Sequence, residues 1–360
     1  MAVPRQQLRF CSSFDGARIA FATAGSGPKL VAAPHWLTHL ELEWQRLYAG
    51  PWLERLTDRY TLLRTDQRGC GLSDRDVADI SFESMVRDLE AVIDSCGWTR
   101  FALLGRSQGG AIAIEYAARH PDRVSHLVLY GAYARGRSLR ESLQAADLEA
   151  QIRMVEVGWG GEDPAYHEFF AARFMPDATL EKRQAMVELQ RASTSGANAA
   201  RVLRAMGGID VRGSASRVRC PTLIMHSGSD RVVPFEEGRL LATLIPDARL
   251  VAFESRNHVL LEQDPVWEAF FQELDAFLPS ERSIPSSGSA APLARLTARE
   301  AEILERIAQG LDNAQIAAHL ELSEKTVRNH ITHIFDKIGV ENRGKAILWA
   351  RAAGFGEQTS

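Results

Sequence analysis

The chain has 360 residues, 45% of them hydrophobic, and this length favours two domains, at least one with a large apolar core. The net charge of −4 excludes a strongly basic surface, so any contact with nucleic acid must come from a local patch. The four cysteines form no C-x-x-C pair, which argues against a zinc site or a disulfide framework, and we expect no metal and no cofactor. Residues 1–16 lack the apolar run of a secretion signal, and no segment is long enough to span a bilayer. We therefore expect a cytoplasmic protein that has no membrane partner.

Residues 9–278 alternate short apolar runs with segments of helical periodicity. Each apolar run is typical of a buried strand, and the runs are KLVAAP (29–34), YTLLRTD (60–66), RFALLG (100–105), SHLVLYG (125–131), PTLIMHSG (221–228) and ARLVAFES (248–255). Helical periodicity follows most of them, as in the segment 81–97, where apolar residues recur at steps of three and four. Strands that alternate with helices predict an α/β fold with a mostly parallel sheet, covered by helices on both faces.

The interval from about 138 to 213 departs from this alternation because it contains helical segments and no strand-like run. We expect it to form a helical cap over a site at the carboxyl edge of the sheet. Its aromatic residues would either line that site, which favours an apolar or aromatic ligand, or form the core of the cap itself. The sequence leaves both interpretations open for Trp159, Tyr166, Phe169, Phe170 and Phe174.

The composition changes abruptly after Leu278 to PSERSIPSSGSAAP, a stretch of proline, serine, glycine and alanine that has little to bury. This stretch predicts a flexible linker over 279–294. The linker separates a domain at 1–278 from a compact segment at 295–360.

The stretch GRSQGG places Ser107 between glycines, directly after an apolar run and before a helical pattern. A G-x-S-x-G match is weak by itself in a chain with 27 glycines, but the strand-turn-helix context is that of a nucleophile elbow. Asp230 and His258 follow the last two predicted strands, in the order that such a serine requires. Taken separately, Asp230 could cap a turn and His258 could be a loop histidine. Their joint placement behind the elbow favours a catalytic triad.

These residues resemble the α/β-hydrolase superfamily over roughly residues 8–278, and the loops DQRGCGLSD (66–74) and SDRVVP (229–234) match the family as well. The resemblance implies the α/β-hydrolase fold, and its catalytic residues would be Ser107, Asp230 and His258. It also implies an oxyanion hole formed by the backbone N–H groups of Trp36 and Gln108.

The loop before Trp36 departs from the family pattern. Relatives usually have His-Gly or Pro-Gly before the oxyanion residue, whereas this chain has Pro34-His35-Trp36. A residue with a side chain tolerates fewer backbone conformations than glycine, so the direction of the Trp36 N–H is in question. The stretch PHWLTHLELEW is similar to the loop of hydrolase-like domains attached to signalling modules, which favours a sensor over a metabolic enzyme.

Residues 295–360 predict a small helical domain. Thr297 and Glu300 form a capping box, and Gly310 suits a helix stop. A short helix over 313–320, a tight turn, and a longer helix that is capped by Ser323 and ends at Gly339 follow the helix-turn-helix plan. One face of the longer helix is apolar and is expected to be buried, through Val327, Ile331, Ile334, Phe335 and Ile338. The opposite face carries Lys325, Arg328, Asn329 and Thr332. By charge alone, a solvated face on a helical bundle would explain this stripe too.

The stretch from 296 to about 353 is similar to the LuxR/FixJ family of DNA-binding domains nearly throughout, including LTAREAEIL, GLDNAQIAAHL, SEKTVRNHI and KIGVENR. The resemblance implies a four-helix domain whose 323–338 helix reads double-stranded DNA, as a homodimer on an inverted repeat. Carried over by position, the base-edge contacts would be Arg328, Asn329 and Thr332. The phosphate contacts would be Lys325, Lys337, Arg343 and Lys345.

Two functions fit these features. The first is a DNA-binding transcriptional regulator whose hydrolase-like domain binds a small molecule, and slowly hydrolyses it, to control DNA binding. The second is a working serine hydrolase, an esterase, lactonase or thioesterase, with an accessory DNA-binding tail. The DNA-binding module favours the regulator, while a ligand-free adaptor would leave the triad unexplained. The residues do not identify the ligand, the operator or the direction of regulation.

Overall fold

A computed structural model of the protein describes residues 6–140, 142–161, 163, 165–278, 296–320, 322–338, 340, 343–352 and 355. The chain divides into two compact units, Met1–Glu281 and Arg282–Ser360. The predicted linker, 279–294, lies outside the described residues. Within the part of the chain that is described, no helix is both long enough and apolar enough to cross a membrane.

The first unit is built on one sheet of eight strands. They are β1 (Gln7–Ser12), β2 (Arg18–Ala24), β3 (Lys29–Ala32), β4 (Thr61–Thr65), β5 (Phe101–Arg106), β6 (Val124–Tyr130), β7 (Thr222–Ser227) and β8 (Ala248–Phe253). The strand order is β1-β2-β4-β3-β5-β6-β7-β8, and β3 to β8 pair in parallel. All six predicted apolar runs are strands of this parallel part, which confirms the predicted α/β fold class.

The first two strands are antiparallel and were not predicted by the apolar runs. β1 lies at the edge of the sheet, and its residues Leu8 and Phe10 are 37% and 48% exposed. An exposed edge strand has no buried face to impose a clear apolar pattern, which is why the sequence signal is weak there.

Ten α-helices and two 3₁₀-helices (Leu42–Gln45 and Arg137–Leu139) accompany the sheet in the described part of the first unit, and only the α-helices are numbered. They are α1 (Gly50–Thr57), α2 (Phe82–Ser95), α3 (Gln108–Arg119), α4 (Ser142–Gly158), α5 (Ala165–Phe174), α6 (Leu180–Ser193), α7 (Gly196–Gly207), α8 (Arg212–Ala215), α9 (Phe235–Leu244) and α10 (Trp267–Phe277). Helices α4 to α8 lie between β6 and β7, in the interval where a cap is predicted. The described residues of that interval form helices and no strand.

The inner strands of the sheet, β3 to β7, are buried on both faces, and neighbouring residues in each of them belong to different cores. Side chains alternate between the faces of a strand, so a central strand must be apolar at consecutive positions. One core contains Val31, Leu63 and Leu103, and the other contains Leu30, Leu62 and Leu104. This double burial explains why the predicted strands appear as continuous apolar runs.

The second unit contains four described helices, α11 (Ala298–Ala308), α12 (Asn313–Leu320), α13 (Glu324–Ile338) and α14 (Arg343–Ala352). The predicted capping box is present: Glu300 N–H donates to Thr297 Oγ1, and Thr297 N–H donates to Glu300 Oε2 over 2.7 Å. Ser323 Oγ accepts the Thr326 N–H and so caps α13. The apolar face of α13 packs into the core of this unit, as predicted.

Candidate functional site

Ser107 lies in the turn between β5 and α3, at the carboxyl end of the strand. Its φ of 51° and ψ of −123° are a strained combination for a residue with a side chain. The glycines on either side permit this turn. A Cβ on Gly105 would lie 2.6 Å from Gly110 Cα, and one on Gly109 would lie 2.8 Å from the carbonyl oxygen of Pro34. The turn therefore presents Ser107 as a nucleophile elbow does.

Asp230 and His258 form a hydrogen-bonded pair beside this turn. His258 Nδ1 donates to Asp230 Oδ2 over 2.6 Å, while Asp230 Oδ1 accepts the backbone N–H groups of Val232 and Val233 over 2.7 and 3.0 Å. Burial raises the pKa of Asp230, but the charge and the hydrogen bond of His258 outweigh it, and the pKa lies below its usual value. A charged Asp230 accepts the proton on Nδ1 of His258, so Nε2 is the ring nitrogen left to act as a base.

The helical cap supports the loop that carries His258. The backbone N–H groups of His258 and Val259 donate to the carbonyl oxygen of Phe174, at the end of α5, over 2.9 and 3.1 Å. The Phe174 ring lies 5.3 Å from the His258 ring, edge towards face. A displacement of α5 would therefore move the histidine, which couples the cap to the site.

Ser107 and His258 line one cavity of about 760 Å³, which we call the first cavity. A second cavity of about 500 Å³ also reaches Ser107. Trp36 and Phe174 line both cavities, so the serine lies where the two meet. No hydrogen bond between Ser107 Oγ and His258 is present among the described residues; such contacts are often long until substrate binds.

The aromatic residues of the cap divide between the two roles that the sequence left open. Phe174 lines both cavities and Phe170 lines the second. Trp159 lines neither; its ring packs 6.2 Å from that of Trp36, at the back of the site, and is 3% exposed. Tyr166 and Phe169 also lie away from both cavities. Some aromatic residues of the cap therefore line the cavities, while Trp159 belongs to the apolar core behind them.

The two residues proposed for the oxyanion hole, Trp36 and Gln108, belong to different elements. Gln108 is the first residue of α3, so its N–H has no acceptor within the helix. Trp36 follows β3 and contacts both cavities. Relatives usually have a glycine before the oxyanion residue. This chain has none there, and the residue after Trp36, Leu37, adopts a positive φ of 46°. The use of both N–H groups as oxyanion donors remains a prediction.

A group of charged and polar residues that no sequence pattern indicated also lines the first cavity. It consists of His35, Glu43, Arg106 and Gln190. Arg106 could have been noticed as an unusual residue inside the elbow motif. Gln190 has no sequence signal, since it lies in α6 and reaches the cavity only through the fold.

The predicted DNA-reading stripe is exposed in the second unit. Lys325, Arg328, Asn329 and Thr332 are all exposed on α13, opposite the buried Val327 and Ile334. The arrangement leaves these polar side chains accessible to a groove of DNA, as in a recognition helix.

The predicted phosphate contacts differ in their surroundings. Lys337 Nζ lies 2.6 and 2.7 Å from the two carboxylate oxygens of Glu300, and this pair lowers the pKa of Glu300 to about 2. Arg343 donates to Asn313 Oδ1 over 2.9 Å and also to the carbonyl oxygen of Leu311. Lys345 is exposed. Lys337 and Arg343 therefore already connect helices of the unit, and a role in phosphate binding stays a prediction for both.

Comparison with protein families matches both units. Residues 42–265 match the family model described as the alpha/beta hydrolase fold. Residues 294–350 match the model described as bacterial regulatory proteins, luxR family.

Individual relatives match the first unit. The AB hydrolase superfamily protein YisY of Bacillus subtilis is 29% identical over 239 residues, 65% of this chain and 86% of the relative. The pyrrolizixenacetamide deacetylase of Xenorhabdus hominickii is 24% identical over 281 residues, 74% of this chain and 96% of that protein. Among solved structures, an esterase from Exiguobacterium antarcticum superposes with a TM-score of 0.63 at 26% identity, over 75% of this chain and 99% of its own.

Proposed function

The chain belongs to the α/β-hydrolase fold family and ends in a DNA-binding domain of the luxR family of bacterial regulatory proteins, and from this premise we propose a transcriptional regulator controlled by a small molecule. The ligand binds in the first cavity beside Ser107 and is slowly hydrolysed there. Its presence changes the affinity of the second unit for DNA. Because the regulator works on DNA, we place it in the cytoplasm.

The observation that carries this proposal is the hydrogen-bonded pair of His258 and Asp230 in a chain that also exposes a DNA-reading stripe. A regulator that only needed a rigid scaffold would have no use for a paired histidine beside a strained serine. A hydrolase that only needed turnover would have no use for a recognition helix.

The chemistry that we propose at this site is acyl transfer. Ser107 Oγ attacks the carbonyl carbon of an ester, lactone or thioester, while His258 Nε2 takes the hydroxyl proton and Asp230 stabilises the imidazolium. The N–H groups of Trp36 and Gln108 stabilise the negative oxygen of the tetrahedral intermediate. His258 returns the proton to the leaving group, and water then releases the acyl group from Ser107.

The proposed partner is double-stranded DNA with an inverted repeat, bound by a homodimer of this chain through its C-terminal helices. Arg328, Asn329 and Thr332 would contact base edges in the major groove, and Lys325 and Lys345 would contact phosphates. The ligand would act by favouring one arrangement of the two DNA-binding units over another, which requires a different affinity for each arrangement.

A second candidate function, a serine hydrolase with an accessory DNA-binding tail, is favoured by the same His258–Asp230 hydrogen bond. The two functions differ in what DNA binding responds to. In the regulator, occupancy of the first cavity changes DNA affinity. In the hydrolase, it does not.

Binding to genomic DNA fragments tests the proposed partner. We expect the full chain to retard a small set of fragments that share an inverted repeat, as a dimer, at salt concentrations that abolish binding to other fragments. Retardation of all fragments alike, lost together as salt rises, would contradict sequence-specific regulation.

A further inference from the structure

The first cavity contains a cation that the proposed acyl transfer does not use. Arg106 directly precedes Ser107 and lines this cavity. Its Nη2 lies 2.7 Å from His35 Nε2, and His35 Nδ1 lies 3.1 Å from the carbonyl oxygen of Trp36. These contacts fit a neutral His35 that donates from Nδ1 and accepts from Arg106 at Nε2. In agreement, burial and then the charge of Arg106 hold the pKa of His35 well below its usual range.

Arg106 has no carboxylate of its own in the described part of the chain. Glu43 is the carboxylate that influences it, but Glu43 Oε2 accepts a hydrogen bond from Arg64, and the two form a buried ion pair. Among the described residues, no ion pair joins Arg106 to any acidic side chain. The guanidinium carbon lies 4.9 Å from the ring centre of Trp52, so an aromatic ring covers it. An arginine stays protonated in such a setting, and a half-buried cation such as Arg106 is stabilised when an anion pairs with it.

A second unpartnered polar group lines the same cavity. Gln190, in α6 of the cap, is 2% exposed. Neither its Oε1 nor its Nε2 has a hydrogen-bond partner within the residues that the structure describes. A buried amide without partners is destabilising, and proteins rarely retain one unless something else satisfies it. Its position in the lining of the first cavity indicates that a ligand supplies the partner.

We propose that Arg106 and Gln190 bind a free carboxylate of the ligand, so that the ester, lactone or thioester recognised beside Ser107 is an amphipathic acid with an apolar body. This inference rests on the proposed function, because it names the chemical class of that ligand. The guanidinium of Arg106 can donate to both oxygens of a carboxylate, and the amide N–H of Gln190 to one of them.

The rest of the cavity fits the apolar body of such an acid. Its lining includes Trp36, Trp52, Leu53, Phe174, Met186 and Leu189. Glu43 also lies at the cavity, which disfavours a phosphate because that group carries nearly two negative charges. The single charge of a carboxylate matches the charge of Arg106, the one arginine in the described lining of this cavity.

Protection of Ser107 from a neutral fluorophosphonate probe tests this inference in the full chain. Three competitors share one apolar chain and differ in charge: octanoate, octanamide and octylamine. We expect octanoate to slow labelling at concentrations at least about tenfold lower than octanamide, because it makes a charge-assisted contact with Arg106. Equal protection by octanoate and octanamide would overturn the inference, and stronger protection by octylamine would assign the anchor to Glu43 instead.

Variants locate the contact. Arg106→Gln should reduce the preference for octanoate to less than about twofold, Arg106→Lys should keep part of it, and Gln190→Leu should cause a smaller loss. Arg191→Gln, a change at an exposed arginine next to Gln190, should keep the full preference. A preference that survives Arg106→Gln unchanged would overturn the inference. Labelling of each variant by the probe alone reports that its site is folded.

A wild-type chain that is not labelled at all would contradict the proposed nucleophile rather than the carboxylate site. Calorimetric titration with the same three competitors then decides the inference by itself. Binding of octanoate that is tighter than that of octanamide, and that depends on Arg106, supports it. Equal binding of the two overturns it.

Discussion

The two units of this chain treat their functional side chains in opposite ways. In the first unit, Asp230 and His258 are 7% and 5% exposed, and each is fixed by hydrogen bonds within the protein. In the second unit, the side chains of Arg328 and Asn329 are exposed. The side chains of the proposed catalytic pair are held by contacts within the protein, whereas the proposed DNA-reading face would find its partners only on DNA. Contacts within the protein therefore support roles in the first unit far more strongly than in the second.

The largest effect should come from breaking the preassembled site. Ser107→Ala or His258→Ala should reduce the rate of fluorophosphonate labelling at least about a thousandfold, because nucleophile and base act as one unit. Mass spectrometry of the intact chain measures the adduct. Ser216→Ala, at an exposed serine of the same unit, should label like the wild type. Full labelling of His258→Ala would show that the histidine is not the base.

A smaller effect is expected in the second unit, where single contacts act separately. Arg328→Ala should remove about 1–3 kcal/mol of discrimination at one base pair, which is roughly 5- to 150-fold in relative affinity. Competition binding with operators altered at single positions measures this change. If Arg328→Ala weakens binding to all sequences by the same factor, Arg328 contacts phosphate and not a base.

The smallest effect should come from the phosphate contacts. We expect it to differ between two of the predicted lysines, Lys345 and Lys337. Lys345→Ala should weaken binding to every sequence and reduce the salt slope by about 1. Lys337→Met should leave the salt slope unchanged if its ion pair with Glu300 persists on DNA. The slope of the binding constant against salt concentration measures both. An equal loss of slope in the two variants would show that Lys337 leaves Glu300 for a phosphate.

The sequence predicted those features that depend on local pattern. The inner strands β3 to β7 are buried on both faces over most of their length and therefore appear as apolar runs, and the order of Ser107, Asp230 and His258 follows from strand ends. The stripe of exposed residues on α13 follows from helical periodicity. Each strand, each triad residue and the α13 stripe can be recognised from the pattern of the segment that contains it.

Features that depend on distant segments were not predictable. Gln190 and Arg106 are more than eighty positions apart in the sequence, and they line one cavity only because the fold brings α6 and the end of β5 to it. Lys337 belongs to the polar pattern of α13, yet its partner Glu300 lies one helix earlier, at the cap of α11. A pattern within one helix shows which face is polar, but it does not show which charge another element will pair.

The central claim is that occupancy of the Ser107 site changes DNA binding. Fluorescence anisotropy of a labelled operator fragment tests it directly, with the full chain either unmodified or fully modified at Ser107 by an apolar fluorophosphonate. We predict that the two dissociation constants differ at least about fivefold, the lower range of coupling between two sites. Ser107→Ala treated with the same probe should show no change. Equal dissociation constants for the modified and unmodified wild-type chains would contradict the account.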